Sequence, residues 1–495
     1  MGSLTIAGSP VSIRLESYLG PDGFVLPDSK LEFSLYQSSG GKHMVSKVNR
    51  SSGADASGVY RRPRFVLRAK RFEEIPAILA NNRTYPTPVR MVGADYSQTR
   101  CVGGDGGTTV DTSGLDKILE YGETTVRAQA GVRVGTLARA LAERGQELLL
   151  TPEMGNISVG ALAVTTCPQA SHTAGLAQLS SLVTELKLIT PQGKQITVRE
   201  RDRDLMRVLR SSFGLLGVVH EVVLRVQPLT PVKIDYHVLS LKDFSARFSS
   251  IVAAPGALRL HISPFDGRII VERRTLDEGA NISRSGIWQI RNSVMRNVLP
   301  AFGSTVGSVL SSPGLRSVVV SGVQRALRAT LDPTARGVVM HAHEWMRELP
   351  PEAWKARFTY SLWAFPQEQF PKVLGAYFAF CKTHYKENRY RCNVVSGASR
   401  LHQDRGSLFS ASYTGPMFTL EPSSTGDRGW DDFLIDFNDF ASALGGTPTF
   451  NQTRALQPEH VAKAFGDRVK LFRALRQRTD PLNRLRNSYF AYLLA

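Results

Sequence analysis

The chain predicts an α+β protein: a glycine-rich domain of two subdomains, followed by a second domain built on an antiparallel sheet. Three observations predict it. Arg90–Leu119 runs from an apolar strand through Gly93-Ala94 and four further glycines (Gly103, Gly104, Gly106, Gly107) into a short strand ending at Asp111. Two later blocks, Thr151–Gly175 and Ser211–Pro228, follow it in a set order. Beyond Pro231, runs such as VKIDYHVLSL and RIIVERRTL alternate as antiparallel strands do.

Taken in order, residues 1–58 are rich in Ser and Gly and read as an extension with loops. The first domain, 59–229, opens on the strand FVLRAK and the short helix FEEIPAILANNRT. Small residues after Val92 let backbone amides converge on one concavity, which is how a chain cradles a diphosphate. VRAQAGVRVGTLARAL reads as strand, tight turn and amphipathic helix, and VTELKLITPQGKQITV as a hairpin about Pro191-Gln192-Gly193. The second domain spans 230–478. Its strands are interrupted at 281–340 by a stretch of helical periodicity with seven arginines (284, 291, 296, 316, 325, 328 and 336) against the lone Asp332. Strands resume at VVMHAHEWM and FTYSLWAF, followed by a helix from Phe370, a strand at CNVVSGASRL and another around Phe409–Tyr413. The helix WDDFLIDFNDFASALGG ends on glycines suited to its C-cap. Residues 479–495 return to the first domain.

At 495 residues there is length for two domains with separate cores. No apolar run is long enough to span a bilayer, and the first twenty residues lack the pattern of a secretory signal, so a cytoplasmic protein is expected. Four cysteines without C-x-x-C spacing read as free thiols. The formal charge of +18 favours an anionic partner: a phosphorylated or carrier-bound substrate, or an acidic membrane surface touched by the arginine-rich insert. Nucleic acid is not expected, because no basic run interleaves with aromatics. His341-Ala342-His343-Glu344 would bring two imidazoles to one face of a strand, but no third ligand is evident and no metal site is expected.

The glycine-rich loop and the two blocks together resemble the FAD-binding domain of the vanillyl-alcohol-oxidase (PCMH-type) flavoproteins, nearest to sugar and aldonolactone oxidases and decaprenylphosphoryl-ribose oxidase. The resemblance is good over 61–229 and recurs at DPLNRLRNSYF. It implies a two-subdomain FAD-binding domain plus an antiparallel substrate (cap) domain. It also implies oxidation of a C–OH or C–N group of a small molecule with hydride transfer to the flavin; the departures at Tyr96, Cys167 and Asn451, with the charge, favour a specialised enzyme, such as one tailoring a secondary metabolite or a carrier-bound intermediate. The alternative is a flavin-binding scaffold whose catalytic set has decayed.

By the resemblance, FAD contacts come from Gly93, Ala94, Asp95, Tyr96, Ser97 and Gln98, then Gly155, Asn156, Ser158, Val159 and Gly160, with Val219 near the adenine. Tyr96 stands where many relatives carry the histidine that links FAD covalently, so the cofactor is expected to be non-covalent. Cys167 takes the place of a flavin-adjacent histidine, and reads either as a flavin-facing thiol or as a small buried hydrophobe. His172 follows five residues later. In the second domain, where relatives place a carboxylate–arginine pair or a lysine, the candidates are Arg400, His402, Tyr413, Asn451 and Arg454. The catalytic set is thus Cys167, His172, His402, Tyr413, Asn451 and Arg454.

Overall fold

A computed structural model describes residues 63–282, 338–348 and 359–495. The extension 1–58 and nearly all of the arginine-rich insert lie outside the described residues.

The first subdomain is a three-stranded parallel sheet, β1 (Phe65–Arg68), β2 (Val89–Val92) and β3 (Thr108–Asp111), with β3 central and helix α1 (Glu74–Ala80) alongside. Val89, Val110, Ile75 and Ile78 form its small core. The second subdomain is antiparallel. Strands β4 (Ile118–Tyr121), β5 (Thr125–Gln129), β7 (Val183–Ile189), β8 (Gln195–Arg199) and β9 (Val218–Pro228) run in the order β4-β5-β9-β7-β8, and β6 (Gln146–Leu148) pairs with the end of β9. Helices α2 (Val134–Ala142), α3 (Val159–Val164) and α4 (Arg203–Leu209) accompany this sheet. In α2 the apolar spacing of Val134, Leu137, Ala138 and Leu141 gives one buried face.

The cap domain is one long sheet of eight strands. These are β10 (Val232–Ser240), β11 (Ala257–Ser263), β12 (Arg268–Leu276), β13 (Val338–Met340), β15 (Trp363–Pro366), β16 (Ser396–Leu401), β17 (Met417–Leu420) and β19 (Thr447–Pro448). Their order is β13-β10-β12-β11-β16-β17-β15-β19, antiparallel throughout. A two-stranded ribbon, β14 (Thr359–Tyr360) with β18 (Ser423–Ser424), flanks it. Leu258, Leu260, Ile262, Ile269, Val271 and Phe418 join the main apolar core together with Phe244 of helix α5 (Leu241–Ala253) and Phe370 and Tyr377 of the helix Phe370–Asn388. Because strand side chains alternate, Arg259, His261, Glu272 and Arg274 share the opposite face. That face meets the first domain through Glu153.

The C-terminal segment contacts the first domain. Val89 donates to the Arg484 carbonyl at 2.8 Å, and the Asn487 amide reaches the carbonyls of Arg100 and Gly103. Two expectations fail. Phe409–Tyr413 is a series of turns and not a strand, and the strand lies at Met417–Leu420. Ser407, Ser410 and Ser412 are buried there, and Phe409 is held among Phe450, Phe465 and Phe472, so tertiary packing overrides strand propensity. The strand VVMHAHEWM stops at Met340, since β13 pairs with β10 only over Val232–Ile234. Residues Ala342–Trp345 form a 3-10 turn that sets the Trp345 ring 4.2 Å from the Arg274 guanidinium. His341 and His343 stack with centroids 5.9 Å apart. Among the described residues no group of three His, Cys, Asp or Glu is placed to hold a metal.

Candidate functional site

The glycine-rich cradle begins where β2 ends. A Cβ on Gly93 would lie 2.2 Å from Ser158 Oγ, so the bare backbone admits the residue that caps α3. Ala94 is buried, and Asp95 adopts φ 56°, the left-handed geometry of a turn, which answers why a carboxylate can stand in a diphosphate cradle. The amides of Ala94 and Ser97 have no bonded acceptor among the described residues. They are donors a diphosphate can use. Gln98 and Thr99 are tied instead to the second domain: the Gln98 amide donates to the Asn451 carbonyl at 2.9 Å, and Thr99 Oγ1 to that of Phe450 at 2.7 Å.

The second group of predicted contacts is more structural than the resemblance implied. The amides of Val159 and Gly160 are already bonded to the carbonyls of Val132 and Ala130, and Val159 is fully buried. A Cβ on Gly160 would stand 2.9 Å from that of Ala130, so this glycine serves the packing of α3 on the turn after β5. Gly155 lies against Gly135 of α2, and the Asn156 carbonyl accepts from Arg133 at 2.8 Å. Val219 pairs with Leu188 and is partly exposed on β9.

Cys167 and Asn451, 284 residues apart, come together. Asn451 Nδ2 lies 3.6 Å from Cys167 Sγ, and Thr166 Oγ1 donates to Asn451 Oδ1 at 3.3 Å. Burial raises the Cys167 thiol above its usual range, against the lowering effect of Thr165 and Asn451. It is therefore a buried, un-ionised thiol with polar neighbours, partway between its two readings. Tyr360 is the third member, its phenol raised by burial, then by Glu421 and Cys167. Around this contact Gln178, Ser361 and Thr449 bury side-chain polar atoms that lack partners. A polar heterocycle would satisfy them, so the residues present fit the ring of FAD as the cradle fits its diphosphate.

The other predicted catalytic residues are dispersed. Arg454 reaches Thr359 Oγ1 and the exposed Asp431, each at 3.3 Å. His172 and His402 are neighbours on a separate flank. Burial, then Arg274 and His402, depresses His172 to about 4, and burial likewise lowers His402. His172 lines a pocket open to solvent, together with Glu147, Arg259, Arg274 and Trp345. Tyr413 is not part of the site: its ring faces Arg468 at 4.8 Å at the edge of a loop. Arg400 turns to the helical side, bonded to Gln367 and the Val252 carbonyl.

The charged groups of the cap face were not anticipated. Glu272 Oε1 accepts from Arg274 Nε at 2.7 Å, and Glu272 Oε2 lies 2.9 Å from His261 Nε2. Glu153, from the first domain, lies 2.6 Å from Arg259 and 2.7 Å from Arg274. Burial by itself would raise both carboxyls. Arg259, Arg274 and Arg347 outweigh it for Glu153 and hold it at about 2, while Arg274, His261 and Arg259 hold Glu272 well below the usual range. The signal was in VERR: an acid and a base two apart, on one face of a strand.

Fold and cradle together define an FAD-binding protein, and the FAD binding domain family profile matches residues 63–199. Residues 63–199 are thus an FAD-binding domain, and FAD is the cofactor. The chain is 25% identical over 259 residues to D-arabinono-1,4-lactone oxidase of Eremothecium gossypii, covering 48% of each protein. It is 25% identical over 291 residues to L-gulono-1,4-lactone dehydrogenase of Mycobacterium tuberculosis, covering 54% of this chain and 66% of that one. The match thus spans about half to two-thirds of these relatives' length. Cholesterol oxidase of Brevibacterium sterolicum superposes with a TM-score of 0.70 over 87% of this chain and 94% of its own, at 15% identity. Chitooligosaccharide oxidase does so at 0.59 over 86% and 91%, at 12% identity. These two likenesses show the fold alone.

Proposed function

We propose that the protein is an FAD-dependent oxidoreductase that oxidises a carbon–hydroxyl group of a small molecule held between the cradle domain and the polar face of the cap sheet. One observation carries this reading: the buried Glu272–Arg274 pair, facing the first domain. Buried ion pairs contribute little net stability compared with apolar side chains of the same size, so a protein kept only as a scaffold has no need of one there. Bound FAD supplies the two-electron acceptor for the substrate's C–H bond. Arg274, its fork shared between Glu272 and Glu153, offers charge-assisted hydrogen bonds that orient substrate oxygens. Cys167, Asn451 and Tyr360 form an uncharged wall, since burial keeps the thiol and the phenol protonated at neutral pH.

The test is anaerobic mixing with D-arabinono-1,4-lactone, L-gulono-1,4-lactone and simple primary and secondary alcohols. Bleaching of the flavin's visible absorbance supports the reading. Persistence of the colour with every compound overturns it.

Three finer points belong to the same proposal. FAD is held without a covalent bond, because Tyr96 occupies the linking position, so acid precipitation should leave the colour in the supernatant. The +18 formal charge supports an anionic or carrier-bound substrate. All four cysteines are unpaired, and no described helix is long and apolar enough to cross a membrane, which supports a reducing compartment such as the cytoplasm.

A further inference from the structure

We infer that the pocket between β6 and the cap sheet is a binding site for an oxyanion, the carboxylate or phosphate group of a small molecule. It gives a place to the anionic ligand proposed above, and it does not depend on what the flavin then does.

The pocket lies where the two domains meet. Strand β6 brings Glu147, the loop after it brings Glu153, and the segment after Cys167 brings His172. From the cap come Arg259 of β11 and Arg274 of β12, with Trp345 of the 3-10 turn beside them. The charges among these groups are already matched. Glu153 lies 2.6 Å from Arg259 and 2.7 Å from Arg274, and Glu272 takes the rest of the Arg274 fork. His172, held at about 4 chiefly by burial, is neutral at neutral pH and brings no charge.

The hydrogen bonds are not matched. Three of the lining side chains bury a polar atom that has no partner: Arg259 Nε, Trp345 Nε1 and Glu147 Oε2. Trp345 is 7% exposed and Glu147 6%. Buried polar atoms are rarely left so, and three around one pocket point to something that enters it. The first two atoms say what chemistry it brings. A guanidinium N–H and an indole N–H donate and cannot accept, so the ligand must supply acceptor oxygens. The Arg274 guanidinium, 4.2 Å from the Trp345 ring centre, fixes that ring and with it the direction of its N–H.

Glu147 agrees with them. Its Oε1 accepts from the Gln227 amide at 3.0 Å and from the Thr230 N–H at 3.4 Å, which leaves Oε2 without a donor. Burial holds this carboxyl above its ordinary range, against the lowering effect of Gln227 and Thr230. A protonated Oε2 is a third donor. Hydrogen bonds to an ionised acceptor are about twice as strong as those to a neutral one. A neutral hydroxyl would also bring a proton for which the three donors offer no acceptor. An oxyanion uses all three and brings none.

Isothermal titration calorimetry of the full-length, FAD-loaded protein with glycolate, inorganic phosphate and neutral glycolamide tests this. At least one anion should bind saturably, with glycolamide roughly tenfold weaker or more, and the tighter anion names the group. Two conservative variants locate the site. Trp345→Phe keeps a ring on Arg274 and removes the N–H, while Arg259→Lys keeps the charge facing Glu153 and removes Nε. Each should retain FAD and weaken the anion about tenfold, as loss of a hydrogen bond to a charged group does. Three results overturn the inference: no saturable binding of either anion, glycolamide binding as tightly as the anions, or undiminished anion binding in both variants with FAD retained. Flavin bleaching enters none of these readouts, so failure of the alcohol-oxidising reading and failure of this site are separate results.

Discussion

Glu153→Gln probes the latch between the two domains, where one carboxylate from the flavin side meets two guanidiniums of the cap sheet. A carboxyl held at about 2 against an ordinary 4.5 corresponds to roughly 3 kcal/mol of stability at neutral pH. Breaking a buried ion pair by removing one partner costs about 3–5 kcal/mol. Glu153 keeps 20% of its side chain exposed, which screens part of this, and glutamine still accepts one hydrogen bond. The expected loss is therefore about 2–3 kcal/mol at pH 7.

The sign of the pH dependence follows from the depressed value. The Glu153 contribution is fully present above the ordinary carboxyl value of 4.5 and disappears as pH falls toward about 2. The wild-type advantage over Glu153→Gln should thus hold from pH 7 to 5 and narrow below 4.5. Urea unfolding followed by tryptophan fluorescence measures it, with Trp345 stacked on Arg274 as a local reporter. Adding Arg259→Met to Glu153→Gln should recover part of the loss, because one uncompensated cation is removed. A loss under about 0.5 kcal/mol at pH 7, or one that does not change with pH, would refute the electrostatic account of this interface.

The remaining predictions concern the cradle and its wall. Gly93→Val should displace Ser158 from the cap of α3, at about 1 kcal/mol for the cap alone, and lower FAD content after desalting; stoichiometric FAD would contradict it. Gly160→Val should do the same by lifting α3 off Ala130, read as a fall in both FAD content and melting temperature. Cys167 should resist iodoacetamide in the native protein at neutral pH and react only after denaturation, because burial suppresses its thiolate, and mass spectrometry of the labelled peptide decides it. Asn451→Ala should cost about 1–2 kcal/mol by stripping partners from Thr166 and Cys167 while the Gln98–Asn451 backbone bond keeps the domains joined, so FAD should be retained.

Much of the flavin domain was legible because its signals are local. The strand–glycine–strand run, the hairpin at Gly193 and the amphipathic α2 each declare themselves within about 15 residues. Asp95, among small residues that suit a turn, takes a left-handed φ of 56°. Glycines were harder to read. Gly93 and Gly160 looked like places for a ligand to approach, yet the space each leaves is filled by Ser158 and Ala130. A sequence shows that a side chain is missing but not what occupies its place.

The cap domain was legible in its strands and mostly illegible in its chemistry, for a physical reason. Tyr413 in its loop and Arg400 near the end of β16 attract attention as polar groups near turns, but their partners are Arg468 and a helix-side carbonyl. The charges that matter lie in mid-strand, where Glu272 and Arg274 look like the solvent face of an ordinary half-buried strand. Only the burial of Glu272 and Arg274 shows that this face is covered, and only Glu153, more than a hundred residues earlier, shows by what. A buried charge is recognised by its cost, and the cost appears once both sides of the interface are known. Asn451 and Cys167 make the converse case. By the resemblance, Asn451 or Gln452 stands at the place of a lysine and Cys167 at that of a histidine, and the fold sets Asn451 against Cys167 at 3.6 Å. Exchanging two ionisable groups for an amide and a protonated thiol at one contact leaves that wall without charge. The buried ionic groups lie instead on the cap face, where Arg274 joins Glu272 and Glu153.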